Sequence, residues 1–142
     1  MEERLDVYIK KINDLIEKNI NNNLKQFDLT LSQCRVLGYL NKNKYKKVTQ
    51  KEIEKVFNIT HATVSGIITR LETNKFVKVD RSKRSNVITL LEKSYINEEK
   101  VKKYQQNLEC ILTKGFNEEE LELFINNLKR VYANLKEEEN NA

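Results

Sequence analysis

Apolar residues recur at helical spacing along most of the chain, and capping residues cut the pattern into segments. Leu5, Tyr8, Ile9, Ile12, Leu15, Ile16, Ile20 and Leu24 fall on one stripe, which predicts a helix within residues 3–25. The polar run Asn19 to Asn23 is expected to fray its end. Thr30 and Gln33 stand at the spacing of a reciprocal cap, with Leu29 as the outer staple residue, so a second helix is expected over 30–41 with Cys34, Leu37 and Leu40 inward. Asn41 to Lys47 reads as a basic loop, in which Lys46 to Val48 can pair as a very short strand. Thr49 and Glu52 repeat the capping spacing with Val48 and Ile53 as staple, and Asn58 suits the left-handed stop of a short helix. A further cap follows at Thr60, with Ile59 and Val64 as staple. Two capped helices joined by so short a turn form a helix-turn-helix.

The helix after Thr60 has two unlike faces. Val64, Ile67, Ile68 and Leu71 make an apolar stripe for the core. The opposite side holds Ala62, Ser65, Gly66, Thr69 and Thr73, all small and none acidic. A solvated face usually carries Lys, Glu and Gln. Gly66 costs roughly 1 kcal/mol against Ala inside a helix, so its presence suggests close approach by something outside the fold. Beyond it, Phe76–Asp80 and Asn86–Leu90 have the β-branched enrichment of a hairpin, whose tip Arg81-Ser82-Lys83-Arg84-Ser85 is short and basic. The rest is helical. One helix should run from near Leu91 to Gly115 with Val101, Tyr104, Leu108, Ile111 and Leu112 as its stripe. Another restarts at Asn117 and Glu120, with Leu121, Phe124, Ile125, Leu128, Val131, Tyr132 and Leu135 on one side.

Composition narrows the function. The 142 residues include no Pro and 3 Gly, as expected of a mainly helical protein. Net charge is +5, but its placement says more. Residues 42–84 hold 12 Lys and Arg against 4 Asp and Glu, while the remainder holds 14 against 17. The positive charge therefore sits on the segment with the two short helices and the hairpin, the footprint of a polyanionic partner. No apolar run is long enough to span a bilayer and the first residues show no secretory core, so a reducing cytoplasm with both thiols free is expected. Cys34 and Cys110 match no metal spacing, His61 is the only histidine, and no glycine-rich phosphate loop occurs. The residues support neither an enzyme nor a cofactor or metal site. Glu118, Glu119 and Glu120 point in different directions on a helix and suit its N-terminal dipole.

The order of elements, together with LTLSQCRVLGYL, ITHATVSGIITRLETNKFV and VITLLEKS, resembles the MarR family of winged-helix transcriptional regulators over nearly the whole chain. The resemblance implies one mainly α domain over 1–142. Residues 29–91 would be the winged helix-turn-helix with its small β-hairpin wing, flanked by dimerisation helices in 3–28 and 92–138. It implies a homodimer on a palindromic operator in a prokaryotic cytoplasm, associated with the nucleoid when bound. Control would come from a small anionic or phenolic effector, from oxidation, or from neither. The chain departs from the family at Gly66, where Arg or Lys is frequent. The wing is shorter, its Asp-x-Arg signature appears as Ser82-Lys83-Arg84, and Leu91 and Ser94 replace Thr and Gly.

The expected partner is double-stranded DNA, with Lys46, Lys47, Thr49, Lys51, Thr60, His61, Ala62, Thr63, Ser65, Gly66, Thr69, Arg70, Arg81, Lys83 and Arg84 at the contact. Ala62 and Thr69 suit thymine methyls, Thr63 and Ser65 base edges, and Arg84 a narrow minor groove, so an A·T-rich operator is expected. Tyr8, Arg35 and Tyr39 are candidates for an effector pocket. The competing readings are a protein-interaction module with a basic surface and a thiol-based redox sensor; apolar burial of Cys34 and of Cys110 beside Ile111 argues against the second.

Overall fold

Ile53, Val64 and Leu71 are completely buried and Val77 nearly so, and the elements that carry them assemble around this cluster. Complete burial of such side chains stabilises a fold by about 1.5–3 kcal/mol each. The structure, a computed structural model, describes residues 3–96 and 98–141. Helix α1 (Leu5–Leu24) runs into a 3-10 turn at Lys25–Phe27, and α2 (Leu31–Lys42) follows. Strand β1 (Val48–Thr49) leads into α3 (Gln50–Phe57) and α4 (His61–Thr73). Strands β2 (Val77–Asp80) and β3 (Val87–Leu90) form the hairpin, a second 3-10 turn spans Glu92–Tyr95, and α5 (Glu98–Leu112) and α6 (Glu118–Asn141) complete the chain. The three strands form an antiparallel sheet in the order β1-β3-β2, with Ile88 opposite both Val48 and Val79. Val48, Val77 and Ile88 are buried, so the sheet packs its apolar side inward beside α4.

The chain divides into two compact units, residues 1–105 and 106–142. The first holds the helix-turn-helix, the sheet and the buried core named above. In the second, the Asn117 and Glu120 side chains each accept the other's backbone N–H, at 2.8 and 3.1 Å, and Phe116 packs against Phe124 with ring centres 5.9 Å apart. Phe124, Ile125, Leu128, Tyr132 and Leu135 remain 40–68 % exposed in the single chain.

Several expectations change. The asparagine run does not fray α1. Asn23 Nδ2 donates to Asn19 O, and Asn21 Oδ1 accepts the N–H of Leu31 at 2.8 Å, so α1 supplies a cap to the first turn of α2. In α2 the inward residues are Leu31, Gln33, Val36 and Leu40; Cys34 and Leu37 are only partly covered. Burying Gln33 costs little because its side chain closes the reciprocal cap with Thr30. The short strand falls at Val48–Thr49 rather than 46–48, since Val48 faces Ile88. No single helix runs from Leu91 to Gly115. Ser94 Oγ donates to Leu91 O and holds a 3-10 turn there, and α5 begins at Glu98. Cys110 and Ile111 are exposed in the chain, not buried.

Candidate nucleic-acid interface

The turn between α3 and α4 is built by backbone bonds. Asn58 adopts φ 52°, and the N–H groups of Asn58 and Ile59 donate to the carbonyls of Lys55 and Glu54 at 3.3 and 3.2 Å. Thr60 Oγ1 then accepts the N–H of Thr63 at 3.2 Å and lies 2.9 Å from Thr63 Oγ1, which caps α4. With Val64, Ile68 and Leu71 buried, Ala62, Gly66, Thr69 and Thr73 are exposed and Ser65 is half-exposed. A methyl group on Gly66 would meet no atom within 4 Å beyond its chain neighbours and the backbone of its own helix. The fold therefore makes no demand for glycine at that position.

The far end of α4 closes in the same way as α3. Lys75 takes φ 64°, Lys75 N–H donates to Glu72 O at 3.0 Å, and Phe76 N–H donates to Leu71 O at 2.9 Å. A left-handed lysine costs about 1 kcal/mol, which a capping glycine would avoid. Lys93 Nζ donates to Asn74 O at 2.9 Å and lies 4.7 Å from the centre of the Phe76 ring.

All four carboxylates of the basic segment are engaged internally. Glu52 accepts from Lys46 at 2.9 Å and from the Tyr39 hydroxyl, and these bonds hold it below the ordinary carboxylate range. It therefore does not reach back to complete the expected reciprocal cap; Thr49 Oγ1 alone accepts Glu52 N–H, at 3.2 Å. Glu54 lies 3.1 Å from His61 Nδ1, and since a carboxylate only accepts, that nitrogen carries the proton in this contact. Gln50 Nε2 is 3.4 Å from the same atom. Glu72 accepts both arms of the Arg81 guanidinium at 2.7 Å, which depresses its pKa and raises that of Arg81. Asp80 accepts Ser82 Oγ at 2.6 Å and Ser82 N–H at 2.9 Å. These bonds lower its pKa, with weaker pulls from Lys83 and Lys47.

The fifteen expected contact residues thus divide. Lys46, His61 and Arg81 have acidic partners within the chain, and Thr49 and Thr60 are caps. Among the described residues, Lys47, Lys51, Arg70, Lys83 and Arg84 form no ion pair, and all five are exposed. Glu54, Glu72 and Gln50 organise this surface and were not expected from sequence. Only the i, i+7 step from Glu54 to His61 hinted at it, and that pairing crosses a turn.

A cavity of about 600 Å³ opens beside α2, lined by Leu37, Tyr39, Phe57, Phe76, Tyr95 and Val101 among others. Arg35 and Tyr39 stand on its wall; Tyr8 does not, and is half-exposed on α1 with its hydroxyl 3.4 Å from Glu3. Tyr39 packs edge-on against Phe57 with ring centres 5.9 Å apart. Asn41 Nδ2 donates to Glu98 at 3.2 Å, while its Oδ1 is buried without a partner. Cys34 lines the same cavity, and burial pushes its thiol up to about 11. Among the described residues no group of three or more His, Cys, Asp or Glu could hold a metal ion, and no helix is long and apolar enough to cross a membrane.

Residues 27–85, the span of this helix-turn-helix and most of its wing, match the model of the MarR family. The winged helix-turn-helix of this chain is a MarR-family domain. Among solved structures, the chain is similar to MepR of Staphylococcus aureus in its DNA complex, with 27% identity and a TM-score of 0.87 over 94% of this chain and 99% of that one. It is also similar to the transcription regulator MarR of Oenococcus oeni, with 26% identity and a TM-score of 0.71 over 92% and 99%. No curated protein matches the sequence. The fold, mainly helical with one small antiparallel sheet, is that of these transcription regulators.

Proposed function

We propose that this MarR-family chain binds double-stranded DNA as a homodimer, on a palindromic A·T-rich operator, and represses transcription. Helix α4 enters the major groove, with equivalent helices of the dimer about one helical turn, roughly 34 Å, apart. Ala62 and Thr69 meet thymine methyls, while Ser65 and Thr63 reach base edges. Lys47, Lys51 and Arg70 take phosphates, and Arg84 at the wing tip enters the adjacent minor groove. One observation carries the reading. A helix face of small side chains is left uncovered, and the cations around it that form no ion pair among the described residues are exposed. Dimerisation is assigned to the apolar faces of α1 and α6, which the single chain leaves open. Selection of binding sites from a random duplex pool should return inverted repeats with an A·T-rich core; a G·C-rich core would contradict the assignment of Arg84 and of the α4 contacts.

The cavity suits an effector with a flat apolar body and an anionic group. Its walls are aromatic and aliphatic, Arg35, Lys42, Lys93 and Lys102 contribute cations to its lining, and Asn41 Oδ1 awaits a donor. Oxidant sensing through Cys34 is disfavoured, because a thiol pushed to about 11 stays protonated at neutral pH. Isothermal titration with an aromatic carboxylate, against Arg35→Ala as control, tests the pocket: binding lost in the variant supports it, and equal binding in both contradicts it. The protein works in a prokaryotic cytoplasm, where its operator lies.

A further inference from the structure

Arg81 belongs to the basic wing tip, yet its guanidinium is turned back onto the helix it follows. Both terminal nitrogens donate to Glu72, each at 2.7 Å, in the planar fork that Arg and a carboxylate make best. Glu72 sits in the last turn of α4, and Arg81 is the first residue after β2. The next turn is fixed as well, since Asp80 accepts both Ser82 N–H and Ser82 Oγ. Two consecutive residues therefore lock the base of the wing, while Lys83 and Arg84 beyond them are exposed and form no ion pair among the described residues. A two-stranded ribbon has little rigidity of its own, and a wing that must place one side chain in a minor groove needs an anchor. With its charge neutralised by Glu72, Arg81 adds little to the field that attracts a phosphate.

We infer that Arg81 and Glu72 form a clasp that positions the wing against the recognition helix, so that Arg81 orients Arg84 and does not itself contact DNA. The inference rests on the DNA-binding reading above. It differs from the sequence expectation, in which Arg81 is a direct contact, and it makes Glu72 a determinant of operator affinity although its charge opposes DNA. The restraint is bidentate, so lysine cannot reproduce it.

The test uses Arg81→Ala, Arg81→Lys, Glu72→Gln and the exchanged pair Glu72→Arg with Arg81→Glu in the full chain. In the free protein, amide exchange across residues 81–86 should rise in all three single variants and return toward wild type in the exchanged pair. On the selected operator, Arg81→Ala and Glu72→Gln should each lower affinity about tenfold, with the exchanged pair restoring most of it. The salt dependence on random duplex should keep its slope in Arg81→Ala, whereas losing one phosphate contact from each protomer of the proposed dimer would reduce that slope by about two. Unchanged amide exchange overturns the clasp and leaves DNA binding intact. A reduced slope in Arg81→Ala, or tighter binding by Glu72→Gln, overturns it in favour of Arg81 as a phosphate contact that Glu72 restrains. Failure of wild-type protein to bind any duplex would defeat the DNA-binding reading itself, while the exchange measurement would still report on the clasp.

Discussion

Helices α1 and α4 each leave one face uncovered in the chain, and the two faces differ in kind. On α1 the open residues are large and apolar: Leu5, Tyr8, Ile9, Ile12 and Leu15 are 40–67 % exposed, and only Ile20 and Leu24 at the other end are buried. On α4 the open residues are Ala62, Gly66, Thr69 and Thr73. Covering the first face removes much apolar area from water, at about 25 cal/mol per Å², so protein is its natural partner. Covering the second yields little hydrophobic gain, so its partner must be drawn by charge and held by hydrogen bonds. The proposed division of assembly from recognition thus rests on the size and polarity of the residues each face leaves outside.

The largest effect should follow from reversing the character of α1. Ile9→Glu with Ile12→Glu is expected to halve the mass seen by light scattering without loss of helix signal, because both side chains already face outward. A dimer that survived would move the interface elsewhere. By contrast, Leu71→Ala on the covered side of α4 should cost about 2–5 kcal/mol in chemical denaturation, since Leu71 is completely buried.

The open side of α4 should respond in the opposite sense. Gly66→Ala is expected to stabilise the fold by about 0.5–1 kcal/mol, as the added methyl meets open space. Gly66→Leu should also fold but bind operator more than about tenfold more weakly if that space is where the groove comes. Binding unaffected by leucine would place the duplex on another face. Lys75→Gly should add about 1 kcal/mol by relieving the left-handed lysine at the end of α4, with no effect on α1-dependent assembly.

The smallest effect concerns pH. Glu52, Glu72 and Asp80 are all held below their ordinary ranges by hydrogen bonds from Lys46 and Tyr39, from Arg81, and from Ser82. A carboxylate whose folded pKa is depressed adds stability above its unfolded value, and that stability is lost as pH falls through the folded value. The denaturation midpoint should therefore decline as pH is lowered from about 6 to about 3, and Glu72→Gln should flatten part of the decline.

Most of the fold was legible because its boundaries are written in local chemistry. Thr30 with Gln33, Thr60 and Asn58 act within a few residues of themselves, and their geometry follows from residue type. What escaped the reading depends on chain segments meeting across space. The spacing of Glu52 points to its own helix start, but Tyr39, thirteen residues earlier, and Lys46 take its carboxylate. Asn21 reads as part of a fraying polar run because its role is fulfilled ten residues later, at Leu31. Arg81 looked identical to Lys83 and Arg84 in a string of charges, and only the return of the hairpin onto Glu72 sets it apart. Periodicity likewise marks that a residue is apolar without saying which neighbour covers it, so Val36 and Leu37 exchanged places in α2.

Most depends on the α4 surface being open to a polyanion. Fluorescence anisotropy of a labelled random duplex, titrated with wild-type protein across a salt series, tests it directly. The logarithm of affinity should fall linearly with the logarithm of salt concentration, with a slope of about −9 when Lys47, Lys51, Arg70, Lys83 and Arg84 of both protomers of the proposed dimer engage, and about −4.5 when those of one protomer do. Absence of binding at about 50 mM salt, or a slope near zero, would contradict it.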